Sequence, residues 1–275
     1  THFFIFEFPS SHNTKVNRIN LRAKTPQEEE HHMRNHLTTI TRPLRNRYVA
    51  LRHGISEANE LGIISCAPND QSGFKHGLSQ KGLEQAENSF VQLNTIFPYV
   101  SDYISRDQLF IYSSDFKRTQ ETAQGLCRGL GLDVEDIILS ESLRERSFGD
   151  FDLMEDNINY EKVWAADDAA EDATGGMVEE GVESVMSVQD RSTRFIAELE
   201  DEHVDDLIVI VGHGECVLKL LFWRFFGDHK IFIYMYICQL SILHIYINIY
   251  FHGLSYYCIF FLQQVIYYKF YKLDF

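Results

Sequence analysis

An α/β fold, with a mostly parallel sheet covered by helices on both faces, is what residues 47 to about 230 predict. Three observations lead there. Short apolar runs alternate with helical patterns along this stretch, the signature of successive βα units. Two of the runs end in glycine-flanked histidines, Leu51-Arg52-His53-Gly54 and Val211-Gly212-His213-Gly214, at the carboxyl strand edge where such sheets place their ligands. A length of 275 residues, 45% hydrophobic and 24% charged, suffices for one large α/β domain with a real core, which excludes a wholly disordered chain or a small disulfide scaffold.

Taken in order, residues 1–46 carry Lys15, Arg18, Arg22, Lys24, Arg34, Arg42 and Arg45 against Glu7 and the run Glu28-Glu29-Glu30, without a sustained apolar period, and read as a polar basic N-terminal extension. Its apolar run Phe3 to Phe8 is broken by Glu7 and stopped by Pro9, too short for the core of a secretory signal. His31, His32 and His36, beside three glutamates, read as solvated residues and not as a metal site. The chain begins at Thr1, which fits a fragment or a processed product.

The strands expected in the 47–230 domain are Tyr48–Leu51, Leu109–Tyr112, Ile137–Leu139 and Leu207–Val211. Helices are expected at about 79–96, opened by Ser79 as N-cap, at 115–130, opened by Ser113, Ser114 or Asp115, and at 183–203 and 215–226. The third carries Val182, Val185, Val188, Ser192, Phe195, Ile196 and Leu199 on one stripe and faces the core.

Residues 231–275 form an atypical hydrophobic tail, with nine of the fourteen tyrosines and no formal charge between Lys230 and Lys269. Two readings fit. Thirty-eight uncharged residues exceed the roughly 20 that span a bilayer, so a membrane anchor is one. The other is translated A/T-rich non-coding sequence, favoured by the scattered Gln239, His244, Asn248, His252, Gln263 and Gln264.

Forty acidic against twenty-five basic residues give a net charge of −15, so nucleic acid is not an expected partner, and a membrane is one only if the tail is a genuine anchor. Five cysteines without a C-x-x-C pair indicate neither a disulfide framework nor a thiolate metal site. A reducing, cytoplasmic compartment is the expectation, with organellar targeting by residues 1–46 or anchoring by the tail as the alternatives.

The chemistry gathers at one edge of the expected sheet. His53 and His213 converge there from distant sequence, and the stretch Ser113 to Ala123 sends Arg118 from the first turn of a helix toward the same rim as Arg52. Two guanidiniums and a helix start make an anion cradle. Singly, each signal is weak in a chain of twelve histidines; jointly, each follows an expected strand on one edge.

These residues resemble the histidine phosphatase superfamily, the phosphoglycerate-mutase-like proteins, over about residues 47–226. The matching motifs are Arg52-His53-Gly54 with Asn59; Leu78-Ser79 with Gly82, Gln85 and Ala86; Ser113-Ser114 with Arg118, Thr119, Thr122 and Ala123; Leu143, Glu145 and Gly149; and Gly212-His213-Gly214. The resemblance implies a three-layer α/β sandwich and a mechanism without metal or cofactor. His53 is then the nucleophile that forms a phosphohistidine. Arg52, Arg118 and His213 bind the phosphoryl oxygens with Asn59 as a hydrogen-bonding partner, and Glu145 is the proton donor and acceptor, its pKa raised by Asp150 and Asp152.

Between Asp150 and Asp190 stand thirteen acids and a single cation, Lys162. The arginine-rich stretch with which the family's mutases hold bisphosphorylated intermediates is missing. Hydrolysis of phosphomonoesters, on a small phosphorylated substrate or a phosphoprotein, is therefore expected over mutase-type phosphoryl transfer. A non-catalytic binding protein on the same fold is the third reading. The acidic insertion, ending in Thr174-Gly175-Gly176, reads either as a mobile lid or as a disordered loop.

Overall fold

The computed structural model describes residues 3–6, 44–67, 72–170, 180–214 and 234–235. The expected helix at 215–226, the His31/His32/His36 group and all of the tail except residues 234–235 lie outside these.

Six strands form one sheet: β1 (Phe3–Phe6), β2 (Arg47–Arg52), β3 (Leu109–Ser113), β4 (Ile138–Leu139), β5 (Leu207–Gly212) and β6 (Tyr234–Met235), in the order β4-β3-β5-β2-β1-β6. β2 through β5 are mutually parallel, as the apolar runs predict. Register aligns their carboxyl ends, with Arg52 opposite Gly212 and Ser113 opposite Val211.

β1 and β6 were not foreseen as strands. The first runs antiparallel to β2, with Phe3 opposite Leu51, and the second pairs with β1. β1 lies between β2 and β6, and Glu7 and Pro9 follow it in sequence, which keeps the N-terminal apolar run to the length of a short strand.

Helices lie on both faces. One is covered by α3 (Gln80–Glu87), α4 (Ser89–Ile96), α5 (Val100–Ser105) and α6 (Lys117–Leu130), after two short helices, α1 (Glu57–Leu61) and α2 (Ser72–Lys75). Val49, Leu51, Ile111, Val209 and Val211 point into that layer against Leu93, Phe97, Ala123 and Leu126. The alternate residues Tyr48, Ala50, Tyr112, Ile208 and Ile210 meet Phe195, Ile196 and Leu199 of α8 (Val185–Glu202). This period-2 division of uninterrupted apolar runs is what a sheet buried on both faces requires, and it completes the three-layer sandwich.

The expected helix at 79–96 is two helices. Ser79 caps the first, accepting the Gly82 N–H at 3.2 Å, but the Asn88 side chain donates to the Glu84 carbonyl at 2.7 Å and Ser89 Oγ donates to the Ala86 carbonyl at 2.7 Å. Side chains competing for carbonyls end the first helix there.

In the acidic insertion Thr174-Gly175-Gly176 lie outside the described residues, and the part before them contains a helix. α7 (Asp156–Ala169) packs Val163 and Tyr160 onto a small core with Ile64, Cys66, Phe148 and Val182. Arg146, 0% exposed, donates bidentately to Asp167 of α7 at 2.5 and 2.8 Å and to the Glu183 carbonyl at 2.7 Å. The pattern of acids concealed this helix, because its charges are its solvent face apart from the one that meets Arg146.

A polar cluster sits at the amino edge of the sheet. The Glu200 carboxylate, 0% exposed, accepts from Arg45 N at 2.7 Å, Asn46 N at 3.3 Å, Asn46 Nδ2 at 2.8 Å and Tyr48 Oη at 2.7 Å. Burial and this carboxylate push the Tyr48 phenol far above its ordinary pKa. The cluster ties the end of α8 to the start of β2, away from the carboxyl edge.

Among the described residues no helix is long and apolar enough to cross a membrane, and no group of three or more His, Cys, Asp or Glu could hold a metal ion. Cys66 and Cys127 are buried free thiols.

Candidate active site

The loop after β2 is held from three sides. His53 N–H continues the ladder to the Gly212 carbonyl at 3.0 Å. Gly54 N–H donates to Thr122 Oγ1 at 3.1 Å, and Ile55 N–H donates to Gln85 Oε1 at 2.9 Å, while the Ile55 carbonyl accepts from Ser79 N at 2.9 Å. A Cβ on Gly82 would lie 1.9 Å from the Ile55 oxygen, and one on Gly54 would lie 2.6 Å from the Gly82 oxygen. Only two glycines allow α3 to approach the loop so closely. Ala86 and Gly125 repeat the device one turn on, where α3 crosses α6: a Cβ on Gly125 would lie 2.7 Å from Ala86 Cβ.

The two histidines face each other, ring centroids 5.2 Å apart. Arg118, 4% exposed, stands between them. Its Nε donates to His53 Nε2 at 3.2 Å, and its Nη2 donates to His213 Nδ1 at 3.0 Å and to the Ser65 carbonyl at 2.9 Å. Because a guanidinium only donates, both of these ring nitrogens are unprotonated acceptors. His53 Nδ1 therefore carries the proton and donates to the Gly54 carbonyl at 2.7 Å, and His213 Nε2 donates to Ser114 Oγ at 3.0 Å.

Electrostatics agree with this. Burial, then the charges of Arg118 and Arg52, hold the His53 pKa well below the ordinary imidazole value. Burial, Arg118 and His53 do the same to His213. Both rings are neutral at pH 7. Arg118 is itself strained by burial, and the charge of Glu145 is the largest single influence opposing that.

One group in this cluster lacks a partner. Arg118 Nη1 is buried and has no hydrogen-bond partner among the described residues. A buried guanidinium nitrogen without an acceptor costs more than a kcal/mol. An anion bound between the histidines would satisfy it.

The remaining expected residues fall as follows. Arg52 is half-buried at the end of β2, and its charge is felt by His53, Arg118 and His213. Glu145 is half-buried on the loop before Arg146, whose N–H donates to its Oε1 at 3.0 Å. Asn59 is exposed and sits in a capping box at the start of α1, its Oδ1 accepting from Ser56 N at 3.0 Å and Ser56 Oγ at 2.9 Å. No hydrogen bond brings it to the histidines.

The Asp152 carboxylate accepts from Cys66 N at 2.7 Å, Ala67 N at 3.1 Å and Ser72 Oγ at 2.9 Å, so it is a clamp on the 65–72 loop, and Asp150 is exposed. Neither of the helix caps expected from Ser113, Ser114 or Asp115 forms: Phe116 is the N-cap of α6, and Asp115 is engaged bidentately by Arg144 at 2.8 and 2.5 Å. Glu121, three positions after Arg118 on α6, accepts from Leu78 N at 2.6 Å.

Sequence reading missed Ser65, whose carbonyl orients Arg118, and Ser114, whose Oγ accepts from His213 Nε2. The Ser65 role is carried by backbone and leaves no side-chain signal. Ser114, Thr122, Gln85 and Gly82 all stood in the quoted motifs; only the geometry shows that they position the histidine loop.

The family model described as histidine phosphatase superfamily (branch 1) matches residues 48–247, running past residue 230 into the Tyr/Ile/Phe-rich tail. Phosphoglycerate mutase-like protein 4 of Arabidopsis thaliana is 30% identical over 175 residues, 62% of this chain and 68% of that one. Among solved structures, a mycobacterial glucosyl-3-phosphoglycerate phosphatase is 26% identical across 62% of this chain and 76% of its own, with a TM-score of 0.45. The phosphoserine phosphatase of Entamoeba histolytica, in complex with 3-phosphoglyceric acid, is 21% identical across 64% of this chain and 78% of its own, with a TM-score of 0.46. The chain belongs to the histidine phosphatase superfamily.

Proposed function

We propose that this member of the histidine phosphatase superfamily hydrolyses phosphomonoesters through a phosphohistidine on His53, without a metal ion. The observation that carries the reading is the buried, unpartnered Nη1 of Arg118 between two neutral histidines. An entering phosphate accepts from Nη1 and draws the Arg118 Nε–H away from His53 Nε2, which frees the nucleophile's lone pair. Arg52 supplies a second positive charge and His213 lies across the site from the nucleophile. These groups meet the equatorial oxygens, where charge spreads in the loose transition state.

His53 Nε2 attacks phosphorus in line as the ester bond breaks, and Glu145 gives its proton to the departing alkoxide. The Nδ1–H bond to the Gly54 carbonyl stabilises the positive charge that the ring acquires. Water then attacks the phosphohistidine and returns a proton to Glu145, which releases inorganic phosphate and restores the neutral imidazole.

The acidic insertion supports hydrolysis over mutase-type transfer. Mutase chemistry needs extra cations to retain a bisphosphorylated intermediate, and the two arginines that flank Glu145 in sequence are committed elsewhere, Arg144 to Asp115 and Arg146 to Asp167.

The test is hydrolysis of 4-nitrophenyl phosphate in the presence of a chelator by the wild type and His53→Ala, with mass spectrometry after acid and base quench. The reading expects chelator-resistant activity, its loss in the variant, and an acid-labile phosphate on His53. Activity that survives in His53→Ala, or disappears with the chelator, overturns it. Faster interconversion of phosphoglycerates than hydrolysis would make the protein a mutase; tight orthophosphate binding without turnover would make it a binding protein.

A further inference from the structure

We propose that Arg144 and Asp115 are positioning residues, and that their ion pair holds Glu145 at the edge of the phosphate cradle. The inference deepens the phosphatase reading and rests on it for the role of Glu145 as proton donor.

The pair joins the two segments on which the reaction depends. Asp115 follows Ser114, which accepts from His213 Nε2, and Arg144 precedes Glu145. Arg144 Nε donates to Asp115 Oδ1 at 2.8 Å, and its Nη2 donates to Asp115 Oδ2 at 2.5 Å. Consecutive Cα atoms are only about 3.8 Å apart, so Glu145 lies one residue from an anchor that is itself one residue from the support of His213.

A second contact leads to the same place. The Arg144 guanidinium carbon lies 5.9 Å from the centroid of the fully buried Phe116 ring. That ring also lies 5.2 Å from the Arg118 guanidinium carbon and 5.3 Å from the His213 ring. Arg144 therefore shares one aromatic ring with two groups of the cradle.

The pair is built as a strut. Its side chains are only 21% and 16% exposed, and a planar fork that meets a carboxylate at two points fixes orientation as well as distance. Glu141, the other carboxylate beside Arg144, is 77% exposed, so solvent screens that contact. On the far side of Glu145, Arg146 is bound to Asp167 of α7. That second pair leads into the lobe, whereas the Arg144–Asp115 pair leads to the histidines and sets how far the proton donor stands from them.

The chemistry of the leaving group supplies the test. When the ester P–O bond breaks, an alkoxide must take the Glu145 proton, but 4-nitrophenolate departs as a stable anion without it. A displaced proton donor slows alkyl esters selectively, while a damaged cradle slows both kinds. The experiment measures kcat/KM for glycerol 2-phosphate and 4-nitrophenyl phosphate, with inhibition by orthophosphate, in the wild type, Glu145→Gln, Arg144→Met, Asp115→Ala and the double variant of the pair.

Arg144→Met and Asp115→Ala are each expected to lose about 100-fold on glycerol 2-phosphate, as for a reacting group displaced by about 1 Å, and less than about threefold on 4-nitrophenyl phosphate. The double variant should lose no more than either single one, and Arg144→Met should cost nothing further in the Glu145→Gln background. Inhibition by orthophosphate should stay unchanged. Arg144→Lys, which keeps the charge without the fork, should fall between wild type and Arg144→Met, and serves if the methionine variant does not fold.

Equal losses on the two esters, weakened orthophosphate inhibition, or additive losses in the double variant overturn the proposal. If Glu145→Gln loses both esters equally, Glu145 is not the proton donor and the positioning role falls with it. If Glu145→Gln discriminates between the esters and Arg144→Met does not, the positioning role alone is removed.

Discussion

Replacing Gly82 by alanine tests whether the close crossing of α3 and the histidine loop sets the nucleophile. The added Cβ falls 1.9 Å from the Ile55 carbonyl oxygen, about 1.5 Å short of the 3.4 Å at which such contacts become ordinary, and the neighbouring Ile55 atoms at 2.9 and 3.1 Å are also backbone. No rotamer change relieves a clash with main chain on both sides. Either α3 or the loop must move by more than an ångström, and the loop carries His53 two residues earlier. A 1 Å misplacement of a reacting group costs about 100-fold in rate. Overpacking of this kind destabilises by about 1–3 kcal/mol. Gly131→Ala is the matched control, because it has nothing within 4 Å and suffers only its left-handed backbone, at φ +72, costing about 1 kcal/mol. Aryl phosphatase assays and urea unfolding of the two variants should give a comparable small loss of stability but a large loss of kcat/KM for Gly82→Ala alone. Full activity with an unchanged urea midpoint in Gly82→Ala would refute the reasoning.

The other predictions concern charge. His53 and His213 have folded pKa values below the unfolded value near 6.5, so the unfolded chain binds more protons; their contribution is fully present above about pH 6.5 and falls, by up to about 1.4 kcal/mol per pH unit for each ring, as the solution is acidified. Urea midpoints at pH 7.5 and 5.5 measure this, and the doubly substituted His53→Gln, His213→Gln protein should show a shallower slope; an equal slope would remove the buried neutral pair as its cause. Arg146→Met removes the fully buried cation that Asp167 faces and should cost about 3–5 kcal/mol, with Asp167→Leu in the same chain recovering most of it. Glu200→Gln leaves one or more of the four donors around the carboxylate unsatisfied and should cost about 1–3 kcal/mol in unfolding while leaving kcat/KM unchanged, since the cluster lies at the opposite edge of the sheet from His53.

What the sequence revealed and what it hid follow one physical division. β2, β3 and β5 were legible because their faces are largely buried, so each is an uninterrupted apolar run, and Leu207–Gly212 is buried at every position; β4 was legible as a short apolar run although Ile138 and Leu139 are exposed. His53, Arg118 and His213 were legible because glycines and helix starts mark the carboxyl edge. α7 was not, since its acids overwhelm a weak apolar pattern and its main anchor is a single buried ion pair made with a residue 21 positions earlier. The Glu200 cluster was hidden for the same reason: a glutamate on a helix reads as solvated until its partners, more than 150 positions away, are known. β1 and β6 join the sheet by pairing with strands distant in sequence, which no local pattern encodes.

The same division explains why one arginine organises the site. A buried cation is tolerated only when its donors are met, and Arg118 meets all but one of its groups with two imidazole lone pairs and a backbone carbonyl. In doing so it fixes the tautomer of each histidine by a bond that only an unprotonated nitrogen can accept. On the proposed reading, preparation of His53 and readiness for an anion are one property: the group that holds His53 neutral is the group whose Nη1 has no partner among the described residues. Arg118→Lys should separate them, because an ammonium keeps the charge but presents no planar fork, and cannot reach His53, His213 and an anion together. Its kcat/KM should fall about 100- to 1,000-fold, the loss expected for a missing transition-state donor, with a smaller change in folding stability. If the lysine variant kept wild-type rates, the fork would not be what orders these two histidines.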